Sequence, residues 1–142
     1  MSKEEIFQQL NSHPAFHVAT VEGDQPHTRA VLLYRADENG IVFHTARSKD
    51  LFSQIEKNPK AEFCFGCDSV QIRISGELTI LDDNNLKDEI VNHPTRTFLK
   101  AWTTNGELSD FYNSLQVLCM KHGKATTWTM DTNFAPKEYI QL

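Results

Sequence analysis

Apolar and polar positions recur along the chain with two periods. Ile6, Phe7 and Leu10 stand at helical spacing behind Ser2, which can cap, and Glu5, which holds the capping-box position. Ser2 to Leu10 therefore reads as a helix, and Pro14 ends that segment. Ala15 to Val21 has strand character, and His27 to Arg35 reads as its return strand across the turn Glu22-Gly23-Asp24-Gln25-Pro26. Asp37-Glu38-Asn39-Gly40 marks a second turn, before the short strand Ile41 to Thr45. A helix from Ser48 to about Asn58 then places Leu51, Phe52 and Ile55 on one face, and Pro59 stops it.

Two further strands are predicted, Ala61 to Phe65 and Val70 to Leu81. In the second, Val70, Ile72 and Ile74 alternate with Gln71, Arg73 and Ser75, the period of a half-buried strand. Asp82 to Tyr112 reads as mostly helical or irregular, with breaks at Pro94 and Gly106. Leu115 to Met120 and Ala125 to Met130 read as a closing hairpin across Lys121-His122-Gly123-Lys124. Many strands on short turns, with few helices, predict a mainly β (α+β) fold, an antiparallel barrel decorated by helices.

Composition narrows the classes. The 142 residues fit a single domain, 1–142. Nine Phe, two Trp and three Tyr can drive collapse, which excludes a disordered chain. No apolar run approaches the roughly 18 residues of a membrane span. The start Met1-Ser2-Lys3-Glu4-Glu5 lacks the basic flank and apolar stretch of a secretory signal, so a cytoplasmic protein is expected. A net charge of −5 argues against a general nucleic-acid binder, because phosphate neutralisation needs a basic surface, but leaves room for a local anion site.

Three cysteines, Cys64, Cys67 and Cys119, do not make a disulfide scaffold. Cys64-Phe65-Gly66-Cys67 spells C-x-x-C, yet it closes a strand rather than opening a helix, and no second pair supplies zinc ligands. Small, soft residues near a strand end are the better reading, and no metal is expected.

Arg29 is the unusual position. Strand parity puts it on one face with Val31 and Leu33, while Thr28, Ala30, Leu32 and Tyr34 point the other way. A charge there must snorkel, pair with a carboxylate, or hold an anion. The second feature is Thr45-Ala46-Arg47-Ser48-Lys49, between a strand and a helix. Ser48 as N-cap, free backbone N–H groups, Arg47 and Lys49 would make a phosphate cradle; the plainer reading is a capped helix with solvated basic residues.

The order of Arg29-Ala30-Val31-Leu32-Leu33-Tyr34, Phe43-His44-Thr45, Arg47-Ser48-Lys49 and the Gln71 strand resembles the pyridoxamine 5′-phosphate oxidase-like superfamily, whose members are FMN-binding split barrels. The ending Ala125-Thr126-Thr127-Trp128-Thr129-Met130, then Asn133-Phe134-Ala135-Pro136, is similar to the general stress protein 26-like branch. The resemblance implies an antiparallel Greek-key split β-barrel with flanking helices. It also implies that Arg29 and Lys49 bind the FMN phosphate, with Ser48 donating a hydrogen bond and Arg47 in the same basic cluster. Ala30 and Val31 would face the isoalloxazine ring through backbone groups, and His44 and Thr45 would lie along the flavin. Gln71 would bond the flavin's polar edge, and Trp128 would come from the partner of a homodimer with the flavin at the subunit interface.

The chain departs from the biosynthetic oxidase at Tyr34, where that enzyme has lysine, and it ends at Leu142 without an Arg-x-His segment. Vitamin B6 oxidation is therefore not expected. The leading expectation is an oxidoreductase that reduces a small organic acceptor with NADH or NADPH. A non-catalytic flavin-binding or flavin-sensing stress protein is the alternative, and a deazaflavin in place of FMN stays open. Haem binding would want an axial histidine, for which His122 in a tight turn is a poor candidate. His17 and His44 could donate protons, but a lone strand histidine is more often only hydrogen-bonded, so neither is assigned a catalytic role.

Overall fold

The computed structural model describes residues 1–142 except Glu107 and Ser109 and the side chain of Asn105. Helix α1 (Lys3–Ser12) begins on the capping box read from the sequence. Ser2 Oγ accepts from the Glu5 N–H at 3.1 Å, and the Ser2 N–H donates to Glu5 Oε2 at 2.8 Å. Its Ile6, Phe7 and Leu10 are buried against the sheet.

The strands are β1 (Ala15–Glu22), β2 (Gln25–Asp37), β3 (Gly40–Ala46), β4 (Lys60–Cys67), β5 (Val70–Glu77), β6 (Thr79–Leu81), β7 (Leu115–Met120), β8 (Lys124–Trp128) and β9 (Ile140–Gln141). They form one antiparallel sheet in the order β6-β7-β3-β2-β1-β4-β5-β8-β9. The run β3-β2-β1-β4 is a Greek key, with α2 (Asp50–Lys57) carrying the chain from β3 back to β4.

The sheet curls around a core to which its central strands and β7 and β8 contribute. Phe16 lies at its centre, stacked on Phe65 at 4.3 Å and edge-on to Phe43 and Phe63 at 5.5 and 5.1 Å. A smaller core joins Val42, Leu115, Val117 and Cys119 to Leu86 and Ile90 of α3 (Asn84–Val91) and Leu99 of α4 (Thr97–Asn105). Gly106 ends α4 at φ 89°, a left-handed position that suits glycine, and a short α5 (Phe111–Ser114) leads into β7. Glu107 and Ser109, part of the stretch expected to be helical or irregular, lie outside the described residues.

Three sequence expectations are corrected. The strand expected over Val70 to Leu81 breaks at Leu78, whose N–H donates to Pro59 O at 2.8 Å; β6 then crosses to pair with β7. The closing hairpin is not one: β7 pairs with β3 and β6, whereas β8 pairs with β5 and β9. Gly123 makes that crossing possible, since a Cβ there would lie 2.5 Å from Ile74 Cγ2. Finally, Lys49, not Ser48, holds the N-cap position of α2, and no side chain caps that end.

The C-x-x-C pair lies on β4, where a separation of three residues turns its members to opposite faces. Cys67 is buried with Sγ 3.9 Å from Gln9 O, and Cys64 is half-buried on the outer face. Burial pushes both thiols, and that of Cys119, above their ordinary values. Among the described residues, no helix is long and apolar enough to cross a membrane.

Candidate functional site

Strand β2 divides its allegiance. Gln25 to Leu32 pair with β1, but pairing with β3 begins only at Leu33, and a bulge between Leu33 and Arg35 shifts the register. Ahead of Leu33 the two strands part, and the N-terminal turn of α2 stands beside the gap. The result is a cleft of about 500 Å³ lined by residues 27 to 31 of β2, Thr45 of β3, and Lys49, Asp50, Leu51 and Gln54 around the start of α2, so that His27 and Asp50 stand at it beside Arg29 and Lys49.

Arg29 is set into this cleft by groups that the sequence reading missed. Its Nη1 donates to Thr20 Oγ1 at 2.7 Å and its Nη2 to Gln54 Oε1 at 2.6 Å. Thr20 and Gln54 are themselves buried, and the Thr20 hydroxyl also donates to Gln54 Oε1. The signal was present in the pattern: Thr20 follows Phe16 and Val18 on the inward parity of β1, and Gln54 interrupts the apolar stripe of α2. Burial lowers the Arg29 pKa, opposed by the charge of Asp50. Among the described residues, no carboxylate lies within 4 Å of Arg29 or Lys49.

Five of the expected site residues thus meet at one cleft: Arg29, Ala30, Val31, Thr45 and Lys49. Their partners in that expectation go elsewhere. Ser48 is exposed in the turn ahead of α2 and does not line the cleft. Arg47 is not part of the basic cluster: it passes to the other side of α2, where its Nε donates to Asn113 O at 2.9 Å and its guanidinium lies 5.1 Å from the Phe52 ring. Gln71 and Trp128 are register partners on β5 and β8. They sit three or more strand spacings from β2, about 14 Å. Trp128 Nε1 donates to Asn133 Oδ1 at 2.9 Å.

His44 alternates with Thr45 on β3 and faces away from the cleft, toward Arg96. Arg96, buried between α3 and α4, gave no signal in a stretch read as mostly helical or irregular. Its Nε donates to His44 Nε2 at 2.9 Å and its Nη2 to Leu33 O at 2.7 Å. Nε2 is thereby the acceptor, so the ring proton sits on Nδ1. Burial, and then the Arg96 charge, pull the His44 pKa down to about 4. Nearby, Tyr34 donates to Glu89 at 2.5 Å, and burial and that bond push its pKa up to about 12.

A Greek-key sheet split between two neighbouring strands, with Arg29 held at the split by Thr20 and Gln54, defines a split-barrel protein. The family model of pyridoxamine 5′-phosphate oxidase matches residues 2–128, and the chain belongs to that family. The pyridoxine/pyridoxamine 5′-phosphate oxidase of Shewanella woodyi is 31% identical over 118 residues, 81% of this chain and 54% of that protein. The chain spans about half the length of the curated relatives it matches. Among solved structures, a NimC/NimA-family protein from Clostridium acetobutylicum superposes with a TM-score of 0.71 at 23% identity, over 98% of this chain and 92% of that one. General stress protein 26 from Bacillus anthracis gives 0.67 at 20%, over 99% and 98%. An FMN-binding protein related to pyridoxamine 5′-phosphate oxidase from Nostoc punctiforme gives 0.65 at 16%, over 99% and 95%. These structural likenesses carry the fold.

Proposed function

We propose that this chain binds FMN with its phosphate in the split cleft, and that it is an oxidoreductase passing electrons from NADH or NADPH to a small organic acceptor. The observation that carries the reading is Arg29: a guanidinium held in place by Thr20 and Gln54, facing the cleft, with no carboxylate within 4 Å of it among the described residues. Lys49 and the uncapped start of α2 add a second cation and free N–H groups, which suit a phosphate. Asp50 at the same rim opposes the anion, which favours a ligand anchored by Arg29 deeper in the cleft.

FMN, when bound, supplies hydride acceptance at its N5, chemistry that belongs to the cofactor. The chain's own residues anchor and orient. Ala30 and Val31 lie on the edge of β2 that β3 leaves unpaired, so their backbone groups are open to a ring lying along the strand. Gln71 and Trp128 are too far from the cleft of their own chain to join it, so a second copy delivers them in a homodimer with the flavin between subunits. His44, neutral and turned toward Arg96, is not the acid of this site.

The test is direct. Purified protein is examined for the visible spectrum of an oxidised flavin, the chromophore is released and identified, and NADH or NADPH is added without oxygen. Rapid bleaching supports the oxidoreductase. A yellow protein that neither donor bleaches is a flavin holder. Colourless protein that does not take up added FMN removes both.

A further inference from the structure

Arg47, sent away from the split cleft by the turn before α2, borders a second cavity on the far side of that helix. Phe52 and Glu56, one helical turn apart, line this cavity of about 500 Å³, whereas Leu51 and Gln54 line the cleft. Five charged side chains surround it: Arg47 and Lys87, and the carboxylates of Glu56, Asp82 and Asp110. Among the described residues none of the five makes an ion pair, with one another or with any other group. Opposite charges that border one space are thus held more than 4 Å apart, with room between them for a small molecule.

The positive side is held in place. Arg47 Nε donates to Asn113 O at 2.9 Å and its guanidinium lies 5.1 Å from the Phe52 ring, while its Nη atoms make no bond among the described residues. Gln116, which is buried, donates its Nε2 to the same carbonyl at 2.7 Å, and its Oε1 accepts no hydrogen bond among the described residues. Lys87 is 1% exposed and donates to Tyr112 O. Burial lowers its pKa, the Asp82 charge opposes that, and the Arg47 charge lowers it further. Lys87 therefore adds positive potential from within, and the exposed Arg47 is the cation that an incoming anion can reach. Glu56, Asp82 and Asp110, by contrast, are all exposed at the rim. They repel a dianion such as phosphate and attract an ammonium group. Phe52 and Ile80 supply apolar wall on which methylene groups can pack.

We propose that this cavity is a second ligand site, separate from the split cleft, and that it takes a small zwitterion of the amino-acid class, its carboxylate on Arg47 beside Lys87 and its ammonium group among Glu56, Asp82 and Asp110. The lining asks for both charges at once. A simple anion would stand against three carboxylates, and a simple cation against Arg47 and Lys87. The site is made of its own side chains and does not depend on the flavin reading.

The experiment follows the full chain by proton–nitrogen NMR while glycine, 4-aminobutyrate or 6-aminohexanoate is added, with hexanoate and hexylammonium as single-charge controls. At least one zwitterion is expected to give saturable shifts centred on the amides of Arg47, Lys87, Asn113 and Gln116, and to bind about tenfold more tightly than either control. Arg47→Gln should weaken that binding about tenfold, and so should Asp82→Asn combined with Asp110→Asn, which leaves Arg47 in place. Arg29→Gln, in the other cleft, should leave it unchanged. Far-ultraviolet circular dichroism verifies folding, and if Arg47→Gln does not fold, the exposed carboxylate variants decide. The absence of saturable shifts with every zwitterion overturns the proposal. Equal binding of hexanoate, or folded carboxylate variants that bind like the wild type, overturns it too. So do shifts that map to the split cleft and vanish in Arg29→Gln.

Discussion

Arg96 donates its Nε–H to Nε2 of His44 at 2.9 Å while holding Leu33 O at 2.7 Å through Nη2. One buried guanidinium thus ties the outward side of β3 to β2 at the place where β2 bulges, and fixes the His44 proton on Nδ1 as it does so.

That contact has a pH signature. Unfolded, His44 titrates near 6.5; folded, its pKa falls to about 4. The unfolded chain therefore binds the proton first, so stability is full above pH 6.5 and declines as the pH drops toward 4, by about 3 kcal/mol from this residue. Burial is the larger cause and the Arg96 charge the smaller, so Arg96→Met should raise the His44 pKa only part of the way toward 6.5 and make this part of the profile shallower. NMR titration of the His44 ring, with urea melts across the same range, measures both effects.

Arg29 should dominate the affinity for FMN. Arg29→Ala removes a charge-assisted contact and should weaken binding by about 2 kcal/mol, roughly 30-fold. Gln54→Leu leaves the charge but frees it from its holder, so a smaller loss is expected, about fivefold. Quenching of flavin fluorescence on titration reports each; a Gln54 variant that binds like wild type would separate Gln54 from the site.

The start of α1 offers a test remote from the cleft. Ser2 and Glu5 each satisfy a backbone N–H of the other, so Ser2→Ala should destabilise the fold by about 1 kcal/mol. The shift in urea midpoint at unchanged slope checks it, and FMN affinity should not move.

Gly40 closes the turn between β2 and β3 at φ 127°, and a Cβ there would lie 2.5 Å from Cys119 Sγ. Gly40→Ala therefore meets both an unfavourable backbone angle and a clash, together about 3 kcal/mol. Adding Cys119→Ala removes the contact with Sγ but not the backbone angle or the 3.1 Å approach to Met120 O, so the double variant should recover part of the loss relative to Cys119→Ala by itself. Thermal melts of the four proteins close that cycle.

What the sequence disclosed was governed by range. The inward parity of Arg29, the α1 cap and the helix around Leu51, Phe52 and Ile55 depend on residues a few positions apart, and each was legible. The β7–β8 crossing was not, because a four-residue link between apolar runs reads as a hairpin unless the packing of Gly123 against Ile74 is known. Arg47 and Lys49 look like one basic cluster in the sequence, yet the turn before α2 sends them to opposite sides of the helix. Arg96 lies 52 positions from His44, in a stretch without periodicity, and only the tertiary fold joins them.

The parting of β2 from β3 has a further consequence. From Gln25 to Leu32 the chain presents an open strand edge in the middle of a sheet, a template on which another strand could add. Pro26, which has no N–H to offer, the charge of Arg29 and the bulk of α2 alongside all discourage such growth. The gap proposed to take a ligand is thus also an open strand edge along which chains could misassemble, and whatever fills it protects the fold from its own neighbours.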